Sequence, residues 1–309
     1  MNKSDKIYIA GHKGLVGSAI VRTLQAQGYT QLICRTHAEL DLTQQTLVND
    51  FFANECPDYV FLAAAKVGGI HANNTYRADF LYKNLAIQNN VIHAAYQHHV
   101  KRLLFLGSSC IYPRDCPQPM KEEYLLTGSL EKTNEPYAIA KISGIKMCEA
   151  YNSQYGTDFA AVMPTNLYGP HDNFDLETSH VLPALMRKIH MAKISNAPNV
   201  TLWGTGIAKR EFLHVDDMAA ACIFMMNKIG HKEIVNVGSG KEISIHDVAK
   251  LMCEVVGFSG DIVYDSNILD GTPRKLLDTS RINELGWNPQ IKLKEGLKST
   301  YEWFLNQYA

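Results

Sequence analysis

A glycine-rich turn between a short apolar strand and an amphipathic helix constrains the fold of this chain most strongly. Residues 6–10 (KIYIA) have the composition of a short buried strand, and Gly11, Gly14 and Gly17 follow at once in G-x-x-G-x-x-G spacing. Residues 15–27 then carry apolar side chains at helical spacing. In such a turn the backbone can approach a pyrophosphate closely, and the N–H groups and positive dipole end of the helix bind its charge. The pattern predicts the first strand, turn and helix of a nucleotide-binding α/β fold.

Strands and helices continue to alternate along the chain. The sequence predicts strands at residues 32–34, 59–63, 102–107 and 159–163, and helices at residues 43–54, 75–98 and 137–155. This alternation is typical of a doubly wound parallel sheet. Because no internal repeat or polar linker marks a clean boundary, we expect a Rossmann-like α/β domain over residues 1–170 and a smaller C-terminal α/β substrate lobe over residues 171–309, partly interleaved with the first.

Composition is that of an ordinary globular protein. Of 309 residues, 46% are hydrophobic and 20% are charged, and the formal net charge of −1 provides no general basic field for nucleic acid. The polar residues 1–5 lead directly into the first strand, and no apolar run reaches the ~18 residues of a membrane span. We therefore expect a cytoplasmic protein without nucleic-acid or membrane partners. Seven cysteines without a C-x-x-C pair argue against a disulfide framework or a structural zinc site, and no metal is expected.

The end of the second predicted strand indicates which dinucleotide binds. NAD-specific proteins often place an acidic residue there, on the ribose 2′-hydroxyl. Here the strand ends in Arg35, Thr36 and His37. Together with Lys13 in the glycine turn, Arg35 and His37 can pair with a 2′-phosphate, which favours NADP(H) over NAD(H). The alternative is that Arg35 is a solvated residue at a strand end.

Tyr137 and Lys141 are four residues apart in a predicted helix and so lie on one face. The ammonium can then favour the phenolate and bring the phenol pKa towards the working pH, which is suited to proton transfer beside a nicotinamide. Taken alone, the same spacing is also typical of a half-buried aromatic residue and a solvated charge.

Ser108, Ser109 and Cys110 follow the strand at residues 102–107, where ligands bind in open α/β sheets. A hydroxyl there can hydrogen-bond a substrate carbonyl beside the Tyr137 phenol. For Ser109 the simpler interpretation is a turn hydroxyl, and for Cys110 it is an inert buried thiol.

These motifs, taken together, resemble the extended branch of the short-chain dehydrogenase/reductase superfamily, whose members act on nucleotide sugars. Longer stretches resemble one family within it, the GDP-L-fucose synthases: residues 62–70, 107–113, 134–141, 163–170 and 210–217. The cysteine after the two serines and the segment at residues 270–275 (DGTPRK) are the features most particular to that family.

The resemblance implies a bifunctional NADPH-dependent enzyme. GDP-4-keto-6-deoxy-D-mannose would be epimerised at C3 and C5 and then reduced at C4. The resemblance implies catalytic roles for Tyr137, Lys141, Ser108, Cys110 and His180, with Cys110 and His180 as the acid and base of epimerisation. His180 alone would suggest only a residue preceding a helix.

The resemblance also implies a set of ligand contacts. Those to NADP(H) are Gly11, His12, Lys13, Gly14, Leu15, Val16, Gly17, Arg35, His37, Asp41, Leu42, Leu106, Gly107, Ser108, Ser109, Lys141, Pro164, Thr165, Asn166, Leu167 and His180. Those to the GDP-sugar are Lys188, Trp203, Arg210 and Asp270.

Other interpretations stay open at this stage. By family analogy we expect a homodimer formed through the helices at residues 75–98 and 137–155. The chain could instead be another nucleotide-sugar epimerase or dehydratase that recycles its bound cofactor, or a non-catalytic NADP(H)-sensing module. The presence of both Tyr137 and Lys141 speaks against the latter.

Overall fold

The computed structural model describes residues 1–176, 178–265 and 272–308. The strands, in chain order, are β1 (Ile7–Ala10), β2 (Leu32–Ile33), β3 (Tyr59–Leu62), β4 (Arg102–Leu106), β5 (Phe159–Pro164), β6 (Asn166–Tyr168), β7 (Asn199–Trp203), β8 (Lys209–His214), β9 (Val235–Val237), β10 (Glu242–Ser244), β11 (Asp261–Asp265) and β12 (Arg274–Lys275). The helices are α1 (Leu15–Ala26), α2 (Gln45–Glu55), α3 (Ile70–Thr75), α4 (Arg77–Gln97), α5 (Glu135–Tyr155), α6 (Val181–Ile194), α7 (Val215–Asn227), α8 (Ile245–Val256), α9 (Ser280–Glu284) and α10 (Leu293–Tyr308).

The central sheet has the order β2-β1-β3-β4-β5-β9, and every neighbouring pair is parallel. Each residue of β1, β3, β4 and β5 is buried, as expected when helices cover both faces of a parallel sheet. The α1 and α7 side chains form one apolar core against the sheet, and α2, α4 and α5 contribute to the other. The predicted Rossmann-like doubly wound fold is confirmed. The strand order reverses between β1 and β3, so the carboxyl ends of these strands mark the ligand crevice.

A second lobe is built from later segments. β7 and β11 form a parallel pair, while β8 pairs with β6, β10 and β12. The α6, α8 and α10 side chains share a third apolar core. The chain returns to the central sheet at β9, so the two parts are interleaved along the sequence.

Most predicted elements have the expected bounds, but one helix is divided. The single helix expected over residues 75–98 is two helices, α3 and α4, separated at Tyr76. Tyr76 has φ −105° and ψ 42°, which are not helical values. Among the described residues, no helix is long and apolar enough to cross a membrane.

Candidate active site

The glycine turn after β1 leaves no room for a side chain at Gly11 or Gly17. Gly11 has φ +86°, and a Cβ there would lie 2.7 Å from the Ala64 nitrogen. A Cβ on Gly17 would lie 2.1 Å from the Gly11 carbonyl oxygen. Gly14 precedes α1, and no side chain caps the first turn of that helix. The cradle therefore has the close backbone approach and uncapped helix N-terminus that suit a pyrophosphate.

The other residues of the turn differ in exposure. Lys13 is exposed, whereas Leu15 and Val16 pack against the apolar core under α1. The buried Nδ1 atom of His12 has no hydrogen-bond partner among the described residues. Burial, with the charge of Lys13, lowers the pKa of His12 and keeps its imidazole neutral. An orphaned polar atom beside the cradle is consistent with a ligand contact there.

The basic residues after β2, Arg35 and His37, have acidic neighbours within the protein. Arg35 donates to the Cys34 carbonyl oxygen at 2.9 Å and forms an ion pair with Glu55 of α2. His37 is largely exposed and lies 3.7 Å from Asp41, and Leu42 is buried. The sequence interpretation overlooked Glu39, whose carboxylate is near this strand end. Glu39 accepts hydrogen bonds from the Thr36 backbone and hydroxyl, which lower its pKa and hold it within the turn.

Lys141 and Tyr137 project from α5 towards the end of β4. The Lys141 ammonium is buried and donates to the Leu106 carbonyl oxygen at 2.7 Å. It lies 5.7 Å from the Tyr137 ring centre and 4.8 Å from that of Phe105. Burial lowers the pKa of Lys141 to about 8. Pro136 in the first helical turn fixes the start of α5 just before the tyrosine.

The pKa of Tyr137 is not lowered towards the working pH, as the sequence analysis expected. Burial raises the pKa of the Tyr137 phenol, and the nearby Cys110 raises it further. The spacing of the two residues in the helix is as predicted, but the ammonium bonds to a backbone oxygen and desolvation dominates. A phenol that stays neutral is suited to donate a proton rather than to accept one.

The residues after β4 form a tight, buried turn. A Cβ on Gly107 would lie 2.4 Å from the Met163 sulfur, and Ser109 is buried. The Ser108 hydroxyl oxygen accepts from the Cys110 backbone N–H at 3.3 Å. Burial raises the pKa of the Cys110 thiol, and Lys275, Ser108 and Lys141 oppose that rise. The turn therefore brings a hydroxyl and a thiol close to the two functional groups of α5.

His180 lies immediately before α6, as the sequence predicted. Although the residue as a whole is exposed, protein around the imidazole lowers its pKa, and the charge of Lys275 lowers it further. Lys275 thus acts electrostatically on both His180 and Cys110. It was missed as a site residue, although the sequence had marked residues 270–275 as particular to the family. The parallel pairing of β12 with β8 could not be inferred from the sequence.

The segment after β5 connects the central sheet to the second lobe. Pro164 ends β5, and Thr165 donates its backbone N–H to the Val237 carbonyl oxygen at 3.0 Å. The Asn166 side chain donates to the Glu211 carbonyl oxygen at 2.8 Å, and Leu167 pairs with Leu213 of β8. This segment is therefore fixed beside the carboxyl ends of β4 and β5.

The expected substrate residues lie in the second lobe. The Lys188 ammonium is 4.4 Å from the Trp203 ring centre, and burial lowers its pKa. Trp203 is 61% exposed, so the face of an indole is available beside a cation. Arg210 donates to the Lys209 carbonyl oxygen and pairs in register with Lys275. Asp270 lies outside the described residues.

The chain is similar along nearly its whole length to known proteins. A family model described as the NAD dependent epimerase/dehydratase family matches residues 7–238. The chain is 63% identical over 305 residues to a putative GDP-L-fucose synthase 2 of Arabidopsis thaliana, covering 99% of this chain and 93% of that protein. It is 56% identical over 310 residues to the GDP-L-fucose synthase of Escherichia coli strain K12, covering 97% and 96% of the two chains.

A solved structure has the same fold over the whole length of the chain. A GDP-L-fucose synthetase from Naegleria fowleri bound to NADP superimposes with a TM-score of 0.94 at 29% identity, covering 100% of this chain and 95% of that chain. The chain therefore belongs to the NAD dependent epimerase/dehydratase family and, within it, to the GDP-L-fucose synthases.

Proposed function

We propose that the protein converts GDP-4-keto-6-deoxy-D-mannose to GDP-L-fucose by epimerisation at C3 and C5 and NADPH-dependent reduction at C4. One observation carries this proposal: the turn after β4 brings Ser108 and Cys110 beside Tyr137 and Lys141, so that reduction and epimerisation groups share one site. The relatives named GDP-L-fucose synthase support the choice of substrate.

NADP(H) is the proposed cofactor. The glycine cradle at Gly11, Gly14 and Gly17 suits the pyrophosphate, and Lys13 and Arg35 supply positive charge near the adenosine end. Binding a 2′-phosphate at Arg35 requires its guanidinium to be shared with, or released from, Glu55. When bound, NADPH supplies the hydride that reduces the C4 ketone.

Tyr137 is the proposed proton donor to the C4 oxygen during reduction. Its raised pKa keeps it protonated at neutral pH, so a proton is available as the oxygen becomes an alkoxide. The Ser108 hydroxyl is proposed to hydrogen-bond the same oxygen and orient the ketone. Lys141, whose ammonium donates to the Leu106 carbonyl oxygen, is proposed to bind the nicotinamide ribose and to favour proton transfer from the phenol.

Cys110 and His180 are the proposed acid and base of epimerisation. Protons on the carbons beside a ketone are acidified because an enolate can form. Inversion requires one group to remove the proton and another to protonate the opposite face of the ring. The lowered pKa of His180 leaves a neutral imidazole that can accept a proton, and the raised pKa of Cys110 leaves a thiol that can donate one.

The second lobe is proposed to hold the GDP part of the substrate. Lys188 and Arg210 supply cations for the diphosphate, and Trp203 offers an exposed ring for the guanine or sugar. Asp270 stays a proposed contact on the resemblance alone.

We also propose a boundary between the two domains near residue 170. After it, α7 packs in the first domain and β9 joins the central sheet, so the two domains are partly interleaved.

We further propose a cytoplasmic homodimer. The helices α4 and α5 pack side by side and leave large exposed side chains, including Tyr82 at 70% and Tyr155 at 45%. Two such helices from each subunit can form a four-helix interface. All seven cysteines are free thiols, which suits a reducing compartment.

The test is to incubate purified protein with GDP-4-keto-6-deoxy-D-mannose, follow NADPH absorbance with NADH in parallel, and identify the sugar by NMR. We expect faster oxidation of NADPH than of NADH, with GDP-L-fucose as product. Conversion without net NADPH consumption would indicate an enzyme that recycles its cofactor, and a C4-reduced sugar unchanged at C3 and C5 would remove the epimerase roles.

A further inference from the structure

We propose that Lys275 is a positioning residue for epimerisation, whose ammonium faces the Cys110 thiol and sets the reactivity of that thiol. The inference deepens the proposed function and rests on it for the reaction concerned. The electrostatic effect of the lysine on the thiol is a property of the folded protein and can be tested without substrate.

The backbone around Lys275 is held from two sides. On one side, β12 pairs in parallel with β8, placing Lys275 opposite Arg210. On the other side, the Leu276 N–H donates to the Gln118 side-chain oxygen at 2.9 Å, and the Met120 N–H donates to the Leu276 carbonyl oxygen at 2.8 Å. Gln118 and Met120 belong to the same loop that begins at Cys110, so the loop and the lysine strand are fixed to each other.

A buried carboxylate completes this anchor. Glu211 of β8 is fully buried and accepts the Leu277 N–H at 3.0 Å and the Gly240 N–H at 2.7 Å. A Cβ on Gly238 would lie 2.2 Å from its carboxylate, so the loop after β9 closes tightly over it. The backbone beside Lys275 is therefore held by buried and partly buried hydrogen bonds to the Gln118–Met120 loop and to Glu211.

A second network fixes the thiol-bearing loop itself. The Tyr112 hydroxyl donates to the Asn236 side-chain oxygen at 2.6 Å. The Asn236 side-chain amide donates to the Met120 carbonyl oxygen, and its backbone N–H donates to a side-chain oxygen of the buried Glu122, each at 2.9 Å. The segments that carry Cys110 and Lys275 are thus linked through Asn236 and Met120, and relative movement of the two backbones is restrained.

The charges around the pair identify Lys275 as the main counter-ion of the thiol. Burial raises the pKa of Cys110, and Lys275 opposes that rise more strongly than Lys141 does. In turn, burial lowers the pKa of Lys275, Cys110 is the group that most opposes that fall, and Arg210 and Glu131 contribute with opposite signs. The thiol also raises the pKa of Tyr137.

The consequence for epimerisation is that the pKa of the Cys110 thiol, although raised by burial, rises less than it would without the ammonium. Without a counter-ion, burial would leave Cys110 an inert thiol. The ammonium stabilises the thiolate, and it also favours the neutral form of His180, as required if the imidazole accepts a proton. One cation therefore serves both members of the acid and base pair.

The first experiment measures the reactivity of Cys110 in the protein without substrate. Alkylation by iodoacetamide is followed from pH 6 to 10, and the Cys110 peptide is quantified by mass spectrometry in wild type, Lys275→Met, Lys275→Arg and the exposed control Lys241→Met. We expect Lys275→Met to be alkylated about tenfold more slowly at pH 8, because a rise of one in the thiol pKa corresponds to that factor. The Arg and Lys241→Met variants should retain the wild-type profile.

An unchanged pH profile for Lys275→Met would overturn the proposal. Methionine keeps the length of the side chain and removes a desolvated charge, so folding should be retained, and Lys275→Gln provides a second neutral variant. The Arg variant separates loss of charge from loss of packing, because only a charge effect is rescued by arginine.

The second experiment uses the substrate and distinguishes Lys275 from a diphosphate ligand. For Lys275→Met we expect slower solvent-deuterium exchange at the sugar carbons with little change in KM. A raised KM with normal exchange at saturation would assign the lysine to diphosphate binding and contradict the proposal. If the alkylation profile shifts but no GDP-sugar is converted by wild type, the lysine–thiol pair stands and the proposed function fails.

Discussion

Lys141 is predicted to destabilise the folded protein at neutral pH, in return for its role at the site. Burial lowers its pKa from 10.5 to about 8. When the pKa of a lysine is lower in the folded protein than in the unfolded chain, the unfolded chain binds the proton more tightly. The folded protein therefore loses stability as the pH falls. This lowering of the Lys141 pKa reduces the free energy of unfolding by ~3 kcal/mol at pH 7 and by about 1 kcal/mol at pH 9.5.

Lys141→Met removes this pH-dependent cost. The same change leaves the Leu106 carbonyl oxygen without its donor, at a cost of about 1–3 kcal/mol that does not depend on pH. The absolute effect at pH 7 is therefore small. Its change with pH is the informative quantity: relative to wild type, the variant should lose ~2 kcal/mol of stability between pH 7 and pH 9.5.

Urea unfolding of both proteins at several pH values measures this difference. Apart from Cys110, whose thiolate is stabilised by Lys141, the groups are expected to titrate alike in the two proteins. The difference therefore isolates Lys141 together with its effect on that thiol, and Lys241→Met provides an exposed control. Parallel stability curves for wild type and Lys141→Met would refute the reasoning, because they would mean that the ammonium is as well solvated in the folded protein as in the unfolded chain.

The remaining predictions concern the site. Tyr137→Phe should lower turnover by ~10² to 10⁴ through loss of the proton donor, with NADPH binding retained in a fluorescence titration; near-normal reduction would exclude this role. Cys110→Ser and His180→Gln should each slow deuterium wash-in at C3 or C5 far more than they weaken NADPH binding, and normal wash-in by both would disprove their assignment. Gly17→Ala should abolish NADPH binding, since its Cβ would lie 2.1 Å from the Gly11 oxygen, and unaltered affinity would contradict the cradle geometry.

The local parts of the fold were readable from the sequence. The alternation of apolar strands and amphipathic helices predicted β1, α1, α5 and the parallel sheet, because these elements are determined by short-range patterning. The break at Tyr76 was missed because the apolar periodicity runs across it without a glycine or proline.

The spacing of the candidate site residues could be predicted from the sequence, but their electrostatics could not. Tyr137 and Lys141 could be placed on one helix face from their spacing alone, yet the direction of the Tyr137 pKa depends on burial and on Cys110, a distant residue in sequence. Lys275 acts electrostatically on Cys110, and its strand β12 pairs with β8, some sixty residues earlier in the chain. No local pattern encodes that register. Similarly, the ion pair between Arg35 and Glu55 depends on how α2 packs beside β2.

One incubation in D₂O tests most directly whether a single site performs both stages. Wild-type protein, GDP-4-keto-6-deoxy-D-mannose and NADPH are mixed, NADPH oxidation is followed, and the product is analysed by NMR. We predict GDP-L-fucose carrying deuterium at C3 and C5 and protium at C4, with one NADPH consumed per product. Protium retained at C3 and C5, or product formed without NADPH consumption, would contradict the combined epimerase and reductase site.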